Sequence, residues 1–157
     1  MCYKLKLKEF ADLWNRFATT EEGAIKCYLI GVLEYIDNNK DAEKMISKTL
    51  PKSHLNDKGL PEKKEIYYLT LYKKYPNNAK SYFGGTPDNN YQYSVDNDLI
   101  INSNSQRGEK SSKIFVQSGG KDLGTPVHLK KNKHGYWKLF NTSSLATNVK
   151  KIEDDDF

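Results

Sequence analysis

"SYFGGTPDNNYQY", residues 81–93, divides the chain into two halves of different character. Before it, apolar residues recur at helical spacing. After it, short β-branched and aromatic runs alternate with Gly, Asn and Ser clusters, which are strand and turn signals. Within it, Gly84-Gly85 lets the backbone reverse, and Thr86-Pro87-Asp88-Asn89 is a β-turn sequence. Helices first and strands second indicate an α+β fold. About four N-terminal helices are expected to pack on one face of a C-terminal antiparallel β-sheet. The length suits a single domain, 1–157, with a helical half 1–76, a β half 82–150 and an acidic tail 151–157.

Working back from the junction, Pro76 stops a fourth helix that starts near Pro61 and has an aromatic face of Tyr68, Tyr72 and Tyr75, with Leu71 beside them. "KSHLNDKGLP" reads as a connector after Pro51. A short third helix begins near Asp41, with Met45 and Ile46 inward. The second helix buries Ile25, Tyr28, Leu29, Val32, Leu33 and Ile36. Its start fits a capping box, with Thr19 accepting and Glu22 reaching back. The first helix places Phe10, Leu13, Trp14 and Phe17 on one face. Working forward, "YQYSVDNDLII", "SKIFVQ", "PVHLKK" and "GYWKLF" read as strands. "KKNKHG" is the hairpin connection between the last two, and "NSNSQRGEKSS" is a polar loop. Alternation puts Val127, Leu129 and Trp137 inward, with Tyr136 and Lys138 pointing the other way.

Hydrophobic residues make up 37% of the chain, a low share, but aromatics reach 12% and each buries a large area, so a folded, very soluble domain is expected. Cys2 and Cys27 make no C-x-x-C, and His54, His128 and His134 have no ligand spacing, so no metal and no cofactor is expected. No apolar run approaches the ~20 residues that span a bilayer, and "MCYKLKLKEF" has no continuous apolar stretch of the signal-peptide kind. These features place the protein in the cytoplasm, off the membrane. Net charge is +5, and without Glu153 to Asp156 the rest carries +9, 25 cations against 16 anions. Such a body attracts anions, and it also serves solubility.

Seven of the eleven tyrosines fall between 67 and 93. They either seal the fourth helix against the sheet or form stacking surfaces for a planar ligand. "QSGGKDLGTP", residues 117–126, is a second glycine-rich segment. It lacks a P-loop ending, and reads as a wide hairpin loop that also exposes backbone N–H groups. "HLKKNKHGYWK", residues 128–138, interleaves Lys130, Lys131, Lys133, His134 and Lys138 with Tyr136 and Trp137. No G-x-S-x-G elbow occurs, and a pairing of His128 with Asp98 or Asp122 is not demanded by spacing. No catalytic constellation is expected.

"SYFGGTPDNNY", "QSGGKDLGTPVHLKK", "GYWKLFNTSSL" and the ending "EDDDF" together resemble an uncharacterised bacterial family, domain-of-unknown-function family 6935. That family is similar in its Y-F-x-G-x-T-P-x-N-x-Y, S-G-x-D-x-x-x-P and G-x-W segments. The resemblance runs from about residue 21 to 157 and implies a small α+β domain with no assigned activity. Thr125-Pro126 stands where the family tends to have Arg-Pro, so a role for that Arg does not carry over.

The functional expectation is a non-enzymatic binding protein for a small anionic, nucleotide-like molecule. In a phage such a protein would act as a sponge for a host immune signal. The expected site comprises Tyr82, Phe83, Gly84, Gly85, Tyr91, Ser118, Gly119 and Gly120, with Lys130, Tyr136 and Lys138 adding charge and stacking. A nucleic-acid polymer is a less favoured partner. The alternative is a protein-interaction or homo-oligomerising module, in which the acidic tail docks on a neighbour's basic strands.

Overall fold

The computed structural model describes residues 3–153; the expectations for Cys2 and for tail residues 154–157 lie outside the described residues. Five helices precede the sheet: α1 (Leu7–Phe17), α2 (Glu21–Ile36), α3 (Ala42–Thr49), α4 (Lys63–Lys74) and α5 (Asn77–Lys80). Helix α2 is the hub, touching α1, α3 and α4 along its length and the sheet at β3 (Ser111–Gln117) and β5 (Trp137–Asn141). Its apolar residues wrap around most of the helix, which is what a helix enclosed on several sides requires. Tyr28, Leu29 and Val32 are fully buried there.

Five details of the helical half differ from the periodic reading. The α2 cap is Thr20, not Thr19: Thr20 has extended backbone, and its hydroxyl accepts from Gly23 N at 3.1 Å. Glu22 is drawn off to Arg107, at 2.8 Å. On α1, Phe10 and Trp14 are buried, but Phe17 is the last helical residue and stays 39% exposed, its ring under the Arg16 guanidinium. On α4 the buried stripe is Glu65, Leu69 and Tyr72, at i, i+4 and i+7, while Tyr75 is exposed at the C-cap. Tyrosine tolerates a boundary, so its spacing alone did not locate the stripe. Pro61 precedes the N-cap Glu62 instead of opening the helix, and bridges to Leu55. Pro76 ends α4 but heads the short α5, whose first turn needs no proline N–H, so helical structure runs to residue 80.

The sheet is antiparallel, in the order β1 (Ile100–Ile101), β3, β4 (Thr125–Lys131), β5, with β2 (Gln106–Arg107) also paired to β3. Most of "YQYSVDNDLII" is irregular; only its last two residues join a strand. The polar loop supplies β2, which Arg107 ties to α2 through Glu21 at 3.2 Å and Glu22 at 2.8 Å. Ile114, Val116, Val127, Leu129, Trp137 and Leu139 are buried, and they form one continuous core with Phe10, Tyr28, Leu29 and Tyr72 from the helices. No helix among the described residues is long and apolar enough to cross a membrane.

Candidate functional site

The structure brings the two glycine-rich segments together, and it does so by close packing. Gly119 N donates to Ser81 O at 2.8 Å, and the Ser118 hydroxyl donates to that of Ser81 at 2.7 Å. A Cβ on Gly119 would collide with the Gly85 carbonyl oxygen. A Cβ on Gly120 would lie 2.5 Å from the Tyr91 hydroxyl. Gly84 has φ +94°, a conformation that needs glycine. These glycines therefore serve close packing within the chain: Gly119 admits the Gly85 backbone, and Gly120 admits the Tyr91 side chain.

The neighbouring aromatics follow the same logic. Phe83 is fully buried, and Tyr82 and Tyr91 are nearly so. Tyr82 donates to Thr125 Oγ1 at 3.0 Å, and Tyr91 donates to the Lys150 carbonyl. Burial pushes the Tyr82 hydroxyl well above the usual phenol range, and the Thr125 bond only partly offsets this. The expectation that Tyr82, Phe83 and Tyr91 offer stacking faces is thus corrected: their rings fill the join between the halves. A hollow of about 370 Å³ remains, with Tyr82, Gly84 and Gly119 in its wall, but Asp98 is the charged residue lining it. A carboxylate there opposes an anion.

Lys130, Tyr136 and Lys138 stand elsewhere, on the β4–β5 hairpin. Lys130 and Lys138 pair directly across the two strands, which puts two like charges side by side. The turn between the strands is fixed by Asn132, whose side-chain oxygen accepts from His134 N and Tyr136 N, each at 3.0 Å. Gly135 at φ +86° completes it. Tyr136 leans on Trp14, with ring centroids 6.0 Å apart.

Opposite the hairpin, Pro51 ends α3 and starts a 3-10 turn at Lys52–His54. The space between is a cavity of about 600 Å³. Leu50, Pro51, Leu55 and Phe140 give it an apolar lining. Lys52, Lys130, Lys131, Lys133 and Lys138 give it charge, His134 adds an imidazole, and among the described residues lining it none carries a carboxylate. Lys130 Nζ lies 4.8 Å over the Phe140 ring, and Lys138 Nζ lies 4.9 Å over Trp14 while donating to the Lys48 carbonyl. Burial, then the nearby Lys48 and Lys52 charges, push the Lys138 amine down to about 8. Five lysines gathered here with no described carboxylate lining the cavity repel one another, which costs stability. A multiply charged anion would relieve that repulsion.

Behind Phe140 a polar thread runs from the half-buried His54 to the buried Glu65 and Thr142. The His54 ring meets the Phe140 ring edge-on at 5.8 Å. His54 Nδ1 lies 3.3 Å from the buried carboxylate of Glu65, which accepts from Thr142 Oγ1 at 2.7 Å. The thread anchors Phe140 and joins α4 to the end of β5. At the opposite end of the sheet, Lys121 Nζ borders a second cavity of about 470 Å³. It is bonded to Ser144 O at 3.0 Å, to Thr147 Oγ1 and, at 3.3 Å, to Tyr82 Oη, and burial pushes its amine down to about 8. Its donors are satisfied by neutral oxygens, which makes it a strut for the last turn.

The basic hairpin is visible in the sequence, but its opposite wall is not. Lys52, Leu50 and Leu55 sit about eighty residues away in a segment that reads as a bare connector. Lys121 was also missed, being one lysine among many. Among the described residues, no three His, Cys, Asp or Glu side chains are grouped so as to hold a metal ion. Asp122 pairs with Lys150 and not with His128.

No curated protein and no solved structure matches the chain. The sequence profile of a family described as a domain of unknown function, DUF6935, matches residues 5–153. With nearly its whole length so matched, the chain belongs to the DUF6935 family.

Proposed function

We propose that the protein is a non-enzymatic binder of a small anionic, nucleotide-like molecule, and that the molecule sits in the basic cavity between the 3-10 turn and the β4–β5 hairpin. One observation carries this reading: five lysines and a histidine surround a partly apolar cavity of about 600 Å³, with no carboxylate among the described residues lining it. The size suits a mononucleotide or a somewhat larger ligand. Phosphates would meet the lysines, while a base would rest on Phe140, Leu50 and Leu55. The lining offers ammonium, imidazole, amide and apolar groups, a set suited to holding an anion. Sequestration of a signalling nucleotide is the use such a binder serves in the cytoplasm, and the ligand would leave unchanged.

The test is native mass spectrometry of the purified protein with a panel: a nucleoside triphosphate, a cyclic dinucleotide, inorganic tripolyphosphate and adenosine. A nucleotide is expected to bind 1:1, more tightly than tripolyphosphate or adenosine, and to be recovered intact. Binding should fall as salt rises, because all these lysines but Lys138 are exposed. Equal binding of all four probes, or none, would overturn the reading. So would a chemically altered nucleotide.

A further inference from the structure

The residues that follow the described part of the chain are "DDDF", preceded by Glu153: four carboxylates and then an aromatic ring. The basic cavity has the complementary pattern, a lysine rim around apolar surface that includes Phe140. We infer that segment 153–157 of one copy docks in the basic cavity of a second copy, its acids on Lys52, Lys130, Lys133 and Lys138 and Phe157 against Phe140 and Leu55.

The geometry favours a second copy over the same one. Lys150 N donates to Gly120 O at 3.0 Å, and Tyr91 donates to Lys150 O, so the chain leaves from the β3–β4 connection. The cavity lies at the other end of β4, near Lys130 and Lys131. Six residue steps along β4 separate the two ends by ~20 Å. Asp154 to Asp156 follow Lys150 by four to six residues, which reach at most ~14–22 Å when fully extended. The backbone at Glu153 and Asp154 falls short even on a straight path, and the real path must round the edge of the sheet. A neighbour's cavity imposes no such limit. The contact joins unlike surfaces on the two copies, so it closes as a reciprocal two-fold exchange or a larger ring, or runs on as an open chain. It rests on the same cavity as the proposed function but not on that ligand, and an occupied cavity would exclude the segment.

A mixing experiment decides this without any ligand. One variant, Lys130→Glu with Lys133→Glu, keeps the segment and reverses the cavity. The other lacks residues 153–157 and keeps the cavity. Sedimentation velocity at low salt should show the full chain self-associating, each variant alone monomeric, and an equimolar mixture forming a 1:1 pair that dissociates at high salt. Thermal melts of each variant check folding, and Lys133→Glu alone, an exposed position, serves if the double variant is unstable. A full chain that stays monomeric overturns the inference. So does a truncated chain that still associates, or a mixture with no pair. Failure of every nucleotide probe to bind the truncated chain would count against the proposed function and leave this result as it stands.

Discussion

Phe83→Ala separates a packing role from a binding role at the junction. Phe83 is fully buried in the core that joins helices and sheet. Its own backbone is tied on both sides: its N–H donates to Lys80 O at 3.1 Å, and its carbonyl accepts from Ser94 N at 3.1 Å and Asn97 Nδ2 at 2.8 Å. With the backbone so held, the space left by the ring cannot collapse easily. Removing a buried phenylalanine then costs about 3–5 kcal/mol. For a domain of this length each kcal/mol lowers the melting temperature by about 2–4 °C, so a fall of about 6–20 °C is expected. Differential scanning calorimetry of wild type and variant measures it. A variant that melts within a degree or two of wild type yet loses nucleotide binding would refute the packing argument and return Phe83 to the ligand.

Three further expectations follow from named contacts. Gly119→Ala forces a methyl group onto the Gly85 carbonyl and should destabilise by about 1–3 kcal/mol in urea unfolding, without changing the affinity of the distant basic cavity. Glu65→Ala leaves the buried Thr142 hydroxyl without its acceptor and opens a void; it should cost at least about 1–3 kcal/mol, and Glu65→Gln less, by the same assay. Lys138 is held down to about 8 by burial against an ordinary value near ~10.4, so between those values the unfolded chain binds more protons and stability should rise with pH, an increment that Lys138→Met should lack. Anion binding should move the opposite way, weakening as pH climbs through about 8 and the cation is lost, which calorimetric titration at several pH values will show.

The α+β order was legible because it is local: periodicity changes at residues 81–93, and the structure places the sheet after them. The inward set Val127, Leu129 and Trp137 was equally legible, since strand alternation fixes it once one residue is placed. The site was legible only in part. Glycines and tyrosines have two uses, close packing and ligand contact, and composition does not choose between them; here Gly119 meets Gly85 and Tyr91 meets Lys150. The basic hairpin showed in "HLKKNKHGYWK", but the cavity depends on Leu50 to Leu55 arriving from across the molecule, a long-range contact with no local signature. Short strands also escaped notice: β2 is two polar residues that pair because Arg107 reaches two carboxylates on α2.

Amide chemical-shift mapping by NMR, with titration of the tightest-binding nucleotide from the panel, tests the central claim most directly. With the ligand in the basic cavity, saturable shifts should group at residues 50–55 and 130–140 and vanish in Lys130→Glu, with residues 82–85 and 118–120 unmoved. Shifts centred instead on Gly84, Asn97 and Gly119, or no saturable shift with any nucleotide, would contradict it.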